Sequence, residues 1–95
     1  MENKNYIIRC DRSGVFFGEI AERNGSEITL RNCRRLWRWS GATECCQLAA
    51  EGVKDPHNCK FTITVGEIVV LDAIEIHPCT DAAAASIREV PEWKM

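Results

Sequence analysis

The densest chemistry in the chain lies in nine residues, "RNCRRLWRW" (31–39), where Arg31, Arg34, Arg35 and Arg38 are interleaved with Trp37 and Trp39 and no acid interrupts them. Guanidinium forks bind phosphate oxygens in bidentate fashion, and indoles stack on a nucleobase or ribose. Stacking on an aromatic side chain is worth about 1–3 kcal/mol per base, so two rings and two phosphate clamps reach useful affinity in a preorganised site. The competing reading is structural. Tryptophans fill cores and interface hot spots, and arginines pair with carboxylates or cover rings.

Charge narrows the ligand. The net charge is −2, and residues 31–39 carry +4, so the other residues sum to −6. A general nucleic-acid binder spreads positive charge over a face to neutralise many phosphates. This chain repels a long polyanion everywhere except at one stripe, which suits a compact anion and excludes long nucleic acid as the partner. Strict alternation places Cys33, Arg35, Trp37 and Trp39 on one face and Arg34, Leu36 and Arg38 on the other. Because neighbours on a strand diverge, the spacing predicts a site shared between copies of the chain in a homo-oligomer. Arg34, Arg35 and Arg38 are then expected to clamp phosphate and Trp37 and Trp39 to stack, with Arg9 or Tyr6 on the first strand as supplements.

Other constellations are weaker. "HNC" (57–59) and "HPC" (77–79) offer two imidazoles and two thiols, a legal set for zinc, but no Cys-x-x-Cys exists and no metal is expected. The adjacent Cys45 and Cys46 sit in no nucleophile elbow, the pairs Glu19/Glu22 and Asp72/Glu75 read as solvated faces, and neither a Walker loop nor a dinucleotide fingerprint occurs. No catalytic residue and no cofactor is therefore expected. An acidic mimic of nucleic acid would carry far more charge than −2. The six cysteines read as reduced and mostly buried. No apolar run approaches the roughly 18 residues of a membrane span, and no secretory leader is recognisable in "MENKNYIIRC".

The elements that must hold the stripe follow from turn chemistry and periodicity. Ninety-five residues make one domain, 1–95, burying about 60–65% of its unfolded surface, so a ligand site is expected in a surface groove or an interface. Strands are predicted at 5–10 and 15–22, joined by the turn "DRSG". Phe16 and Phe17 point to opposite faces, and Gly18 marks a bulge or close backbone approach. Asn24-Gly25 turns the chain into a strand at 27–33 that runs on into "RRLWRW". A helix over 42–51 is capped by Ser40 and ended by Gly52. Strands follow at 59–65 and 67–77, the second bent or exposed at Asp72. A last helix spans 81–90 behind Thr80 or Asp81. The fold class is α+β, mainly β: a small curled antiparallel sheet or barrel of five to six strands with two short helices.

The order "YIIRCDRSGVFFGEI", "ERNGSEITLRNCRRLWRWSGA", "QLAAEGVKDPHNCKF" and "IEIHPCT" resembles a family of short bacteriophage proteins of unknown function. Arg34, Arg35, Trp37 and Trp39 match its Arg–Arg-aromatic strand end, and Cys59, Lys60, Phe61, Pro78, Cys79 and Thr80 match its later motifs. His77 departs from the apolar residue expected there. The resemblance implies a counter-defence protein acting in the cytoplasm of the infected bacterial host. There it would sequester a small cyclic nucleotide immune signal without cleaving it, as anti-CBASS and anti-Thoeris sponges do. The alternative from another class is an inhibitor that docks directly on a host defence enzyme through Trp37 and Trp39.

Overall fold

Gly25 takes φ 65 as the first of two loop residues, the left-handed conformation that tight hairpins require, and so joins β2 (Val15–Asn24) to β3 (Glu27–Arg38) in register. The computed structural model describes residues 4–94. They form one six-stranded antiparallel sheet, curled but not closed, with two helices. β1 (Tyr6–Cys10) pairs with β2 on one side and β6 (Ala73–Pro78) on the other. β3 is long enough to serve two further strands along its other edge, β4 (Lys60–Phe61) and β5 (Val65–Val70).

The curl follows from one short connection. β5 lies at one end of the strand order and β6 at the other, yet only Leu71 and Asp72 join them. The two ends must therefore approach, and they are tied by Asp11 N–H to Asp72 O at 2.9 Å and Ala73 N–H to Ser26 O at 3.1 Å. Curling gives the sheet two cores. Ile8, Cys10, Phe16, Ile28, Leu30, Cys33 and Val70 meet on one face. On the other, Ile7, Phe17, Leu36 and Phe61 pack against α1 (Cys45–Glu51) and α2 (Asp81–Glu89) through Leu48, Ala49, Ala84 and Ile87. Adjacent apolar pairs, Ile7-Ile8 and Phe16-Phe17, send one side chain to each core, as a period of two requires. Each fully buried Ile or Phe contributes about 1.5–3 kcal/mol. Gly18 lies at a register shift where a Cβ would come within 2.6 Å of Cys33 Cβ, so it serves both the bulge and the close approach.

The larger differences from expectation lie in three places. α1 starts at Cys45, not residue 42, because Glu44 rather than Ser40 caps it, accepting from Cys46 N–H at 3.0 Å and Gln47 N–H at 3.3 Å; Gln47 Oε1 answers by accepting from Thr43 N–H at 2.8 Å. The strand expected over 59–65 is only two residues long before Thr62 diverts it: its hydroxyl accepts from Arg35 N–H at 2.9 Å. The run 67–77 divides into two strands at Asp72. α2 begins behind Thr80, whose hydroxyl accepts from Ala83 N–H at 3.1 Å. Among the described residues no helix is long and apolar enough to cross a membrane.

Candidate functional site

Asn32, at φ 46, shifts the phase of β3 so that Ile28, Leu30 and Cys33 share one face. The two arginines that follow part company. Arg34 enters the helix-facing core and is 1% exposed. Its guanidinium donates to four main-chain carbonyls: Thr62 at 2.9 Å, Phe61 at 3.2 Å, Ile87 at 3.1 Å and Val90 at 3.0 Å. The last two lie at the C-terminal end of α2, where carbonyls lack helical partners and a cation is favoured. Burial pulls its pKa below the usual arginine range. Arg34 is thus enclosed by its own subunit and does not line the groove as the sequence suggested.

Arg35 turns the other way. Its guanidinium lies over the Phe16 ring at 4.6 Å and donates to the Ser13 carbonyl. Gly14 makes room, since a Cβ there would sit 3.0 Å from Arg35 Nη1. The turn carrying Ser13 is itself held by Asp72, whose carboxylate accepts from Arg12 N–H at 2.6 Å, Ser13 N–H at 3.0 Å and the Ser13 hydroxyl. The Ser13 hydroxyl, then the Arg12 amide, hold the Asp72 carboxyl below its ordinary pKa. Together these groups border a groove of about 370 Å³ lined by Arg12, Ser13, Arg35, Trp37 and Trp39, with Gly14, Val15 and Leu36. Arg35 forms no ion pair with a carboxylate among the described residues.

At Trp37 the ladder shifts again. Leu36 faces Phe61 but Arg38 faces Lys60, so two residues of β3 are spent against one of β4. This bulge corrects the expected facing: Arg34 and Leu36 are buried while Arg38 is exposed beside Trp37. Trp37 is 62% exposed and Trp93 45%. Their rings stack with centroids 6.1 Å apart and planes at 21°, and Lys60 Nζ lies 5.3 Å from the Trp93 ring. Trp93 is brought there by a main-chain bond to Phe61 O at 2.8 Å, and Glu92 accepts from Thr64 N–H at 3.1 Å. Trp39 is half-buried against the helix-facing core.

A family model described as a domain of unknown function (DUF6948) matches residues 3–87. The chain belongs to this family. No curated protein and no solved structure matches it. The family's matched region spans Arg12, Arg35, Trp37, Arg38, Trp39 and Lys60 but stops before Trp93.

The remaining sequence candidates lie elsewhere. Arg9 pairs with Glu75 at 3.4 Å, and Tyr6 borders a separate depression with Asn5, Pro78 and Thr80. The structure brings together Arg35, Trp37 and Trp39 and adds Arg12, Lys60 and Trp93, none of which was expected at the site from the sequence. Arg12 was traceable in principle: in a β1–β2–β3 meander the first turn lies beside the end of β3. The histidines of the two His-x-Cys pairs belong to different elements: His57 sits in the 3-10 turn at Pro56–Asn58, and His77, on β6, bonds Glu75 at 2.8 Å. No group of three or more His, Cys, Asp or Glu placed to hold a metal occurs among the described residues. Burial pushes the Cys10 thiol up to about 11 and Cys79 up to about 12. Exposed Cys46 is also raised, by its hydrogen bond to Glu44, the opposite of nucleophile activation.

Proposed function

We propose that this protein binds a small phosphorylated heteroaromatic ligand of the cyclic-nucleotide class in the groove beside Trp37, and holds it without cleaving it. One observation carries the reading: Arg35 is a half-buried arginine that lines an open groove together with two tryptophans and has no carboxylate paired with it among the described residues. A partly desolvated cation gains from an anionic partner, and phosphate offers the planar fork two oxygens. Arg12 supplies a second cation, and Trp37 or Trp39 a stacking face. The groove's about 370 Å³ falls within the range of small-molecule sites. Its lining side chains are cations, a hydroxyl and apolar groups, without carboxylate, imidazole or thiol, a set for holding rather than for proton transfer. The biological setting proposed with it is the one the resemblance implies: a bacteriophage counter-defence protein sequestering an immune signal in the host cytoplasm.

The test is depletion and release. The purified protein is incubated with a panel of cyclic nucleotides, removed by heat denaturation, and the supernatant analysed. Depletion followed by recovery of intact ligand supports the reading; altered ligand makes the protein an enzyme and overturns it. Arg35→Ala is expected to abolish depletion with little loss of fold.

A second reading rests on the exposed, stacked Trp37–Trp93 pair. Tryptophans of this kind anchor protein interfaces, so an inhibitor docked directly on a host defence enzyme is the alternative, favoured if no nucleotide is depleted. One subunit already gathers Arg12, Arg35, Trp37 and Trp39, so a second copy is proposed as a cover for the groove rather than as a supplier of its first contacts.

A further inference from the structure

We infer that the groove's ligand carries two phosphates, the second received by Arg38 and Lys60; this rests on the groove reading above and narrows its ligand class. Arg38 and Lys60 are directly opposite across the β3–β4 ladder. Like charges in that position repel and destabilise a sheet. Carboxylates lie beside some exposed cations of this chain: Arg9 has Glu75, Arg31 has Glu67 and Lys94 has Glu92. Among the described residues neither Arg38 nor Lys60 has such a partner, and Glu92, which lies on this edge, is engaged by Thr64 N–H. An anion between the two cations converts a repulsive pair into a clamp.

Two rings link Lys60 to the groove. Trp37 lines the groove and stacks on Trp93, and Lys60 Nζ rests on the Trp93 ring. Arg35 and Arg38 are three residues apart, at most about 10 Å along the bulged strand, with Trp37 between them in sequence. Two cation positions flanking a ring platform fit a nucleoside with a phosphate on either side. That is the arrangement in a dinucleotide, and a cyclic mononucleotide has only one phosphate to offer. Trp93 is then a positioning residue: it backs Trp37 and steadies Lys60.

Calorimetric titration of the full chain with cyclic AMP and with cyclic di-AMP tests this, using the parent, Arg35→Ala and the double variant Arg38→Gln/Lys60→Gln. The parent is expected to bind the two-phosphate ligand at least tenfold more tightly. The double variant is expected to lose that advantage, its affinity for the two-phosphate ligand falling to that for the one-phosphate ligand, and its melting temperature should match or exceed the parent's because repulsion is relieved. Should the double substitution impair folding, Lys60→Gln alone carries the same comparison. No preference in the parent, or an equal loss of both ligands in the variant, overturns the second phosphate position; if Arg35→Ala still abolishes binding, the groove reading survives that result. Inorganic pyrophosphate separates the remaining case. If the parent binds neither nucleotide but pyrophosphate raises its melting temperature and not the double variant's, the groove reading falls and the cation pair stands as an anion site. If pyrophosphate has no effect either, both fall.

Discussion

What a guanidinium does is decided by what its donors meet, and Arg34 and Arg35 are adjacent residues with opposite fates. Arg34 spends its nitrogens on four main-chain carbonyls, three of them in fully buried bonds, so truncation leaves several of them without a donor in the core. An unsatisfied buried polar group costs about 1–3 kcal/mol. Arg34→Ala is expected to destabilise the fold by about 3 kcal/mol or more, and Arg34→Lys to rescue little, because one ammonium cannot span a planar fork's partners; urea unfolding measures both. Arg35→Ala removes a ring contact and one carbonyl bond at a half-buried position and is expected to cost only about 1 kcal/mol, with the loss appearing in ligand affinity instead. The sequence shows two identical residues side by side. It cannot show that Phe61 and the end of α2 enclose one of them, since those partners are 27 and 53 residues away.

Among the elements, the turn after β1 depends on a residue 59 positions distant. Asp72 sits where β5 gives way to β6 and takes three hydrogen bonds from Arg12 and Ser13, so the β5–β6 connection sets the wall of the groove. Those donors favour the carboxylate, and its folded pKa lies below the ordinary value of 3.8. The sign follows. A carboxyl depressed on folding stabilises the native state above its unfolded pKa, and that contribution is lost as pH falls through the folded value. Stability is therefore expected to decline on acidification below about pH 4, and Asp72→Asn to flatten that decline while weakening ligand binding at neutral pH, as followed by unfolding midpoints from pH 6 to 3 and by titration. Glu44, depressed by the Cys46 amide at the start of α1, adds to the same trend. Turn and cap chemistry made most of these elements readable: Asn24-Gly25, Gly52 and Thr80 stand where the sequence places them. The start of α1 was not, because Ser40 is a usual cap residue and Glu44, outside the usual capping set, takes the role instead. Gly41 comes too close to Lys54 to admit a side chain, a Cβ there lying 2.6 Å from Lys54 N.

For the molecule as a whole, the two-residue link between β5 and β6 is what turns a meander into a curled sheet with a core on each face. With Trp37 and Trp93 left largely open, light scattering on the purified chain is expected to show a homo-oligomer, or a monomer that associates once ligand fills the groove; a monomer in both conditions sinks the covering copy. The sequence by itself determined the fold class, the hairpin turns, the two faces of the apolar pairs and the isolation of positive charge in one stripe. Those properties are local: they follow from turn residues, from a period of two and from counting charges. Which arginine faces the groove, that Arg12 joins it, and that Trp37 leans on Trp93 were decided only by tertiary structure. A bulge at Trp37 and a positive φ at Asn32 each change the phase of a strand. One extra residue moves every later side chain to the other face, and strict alternation along the sequence has no means of registering it.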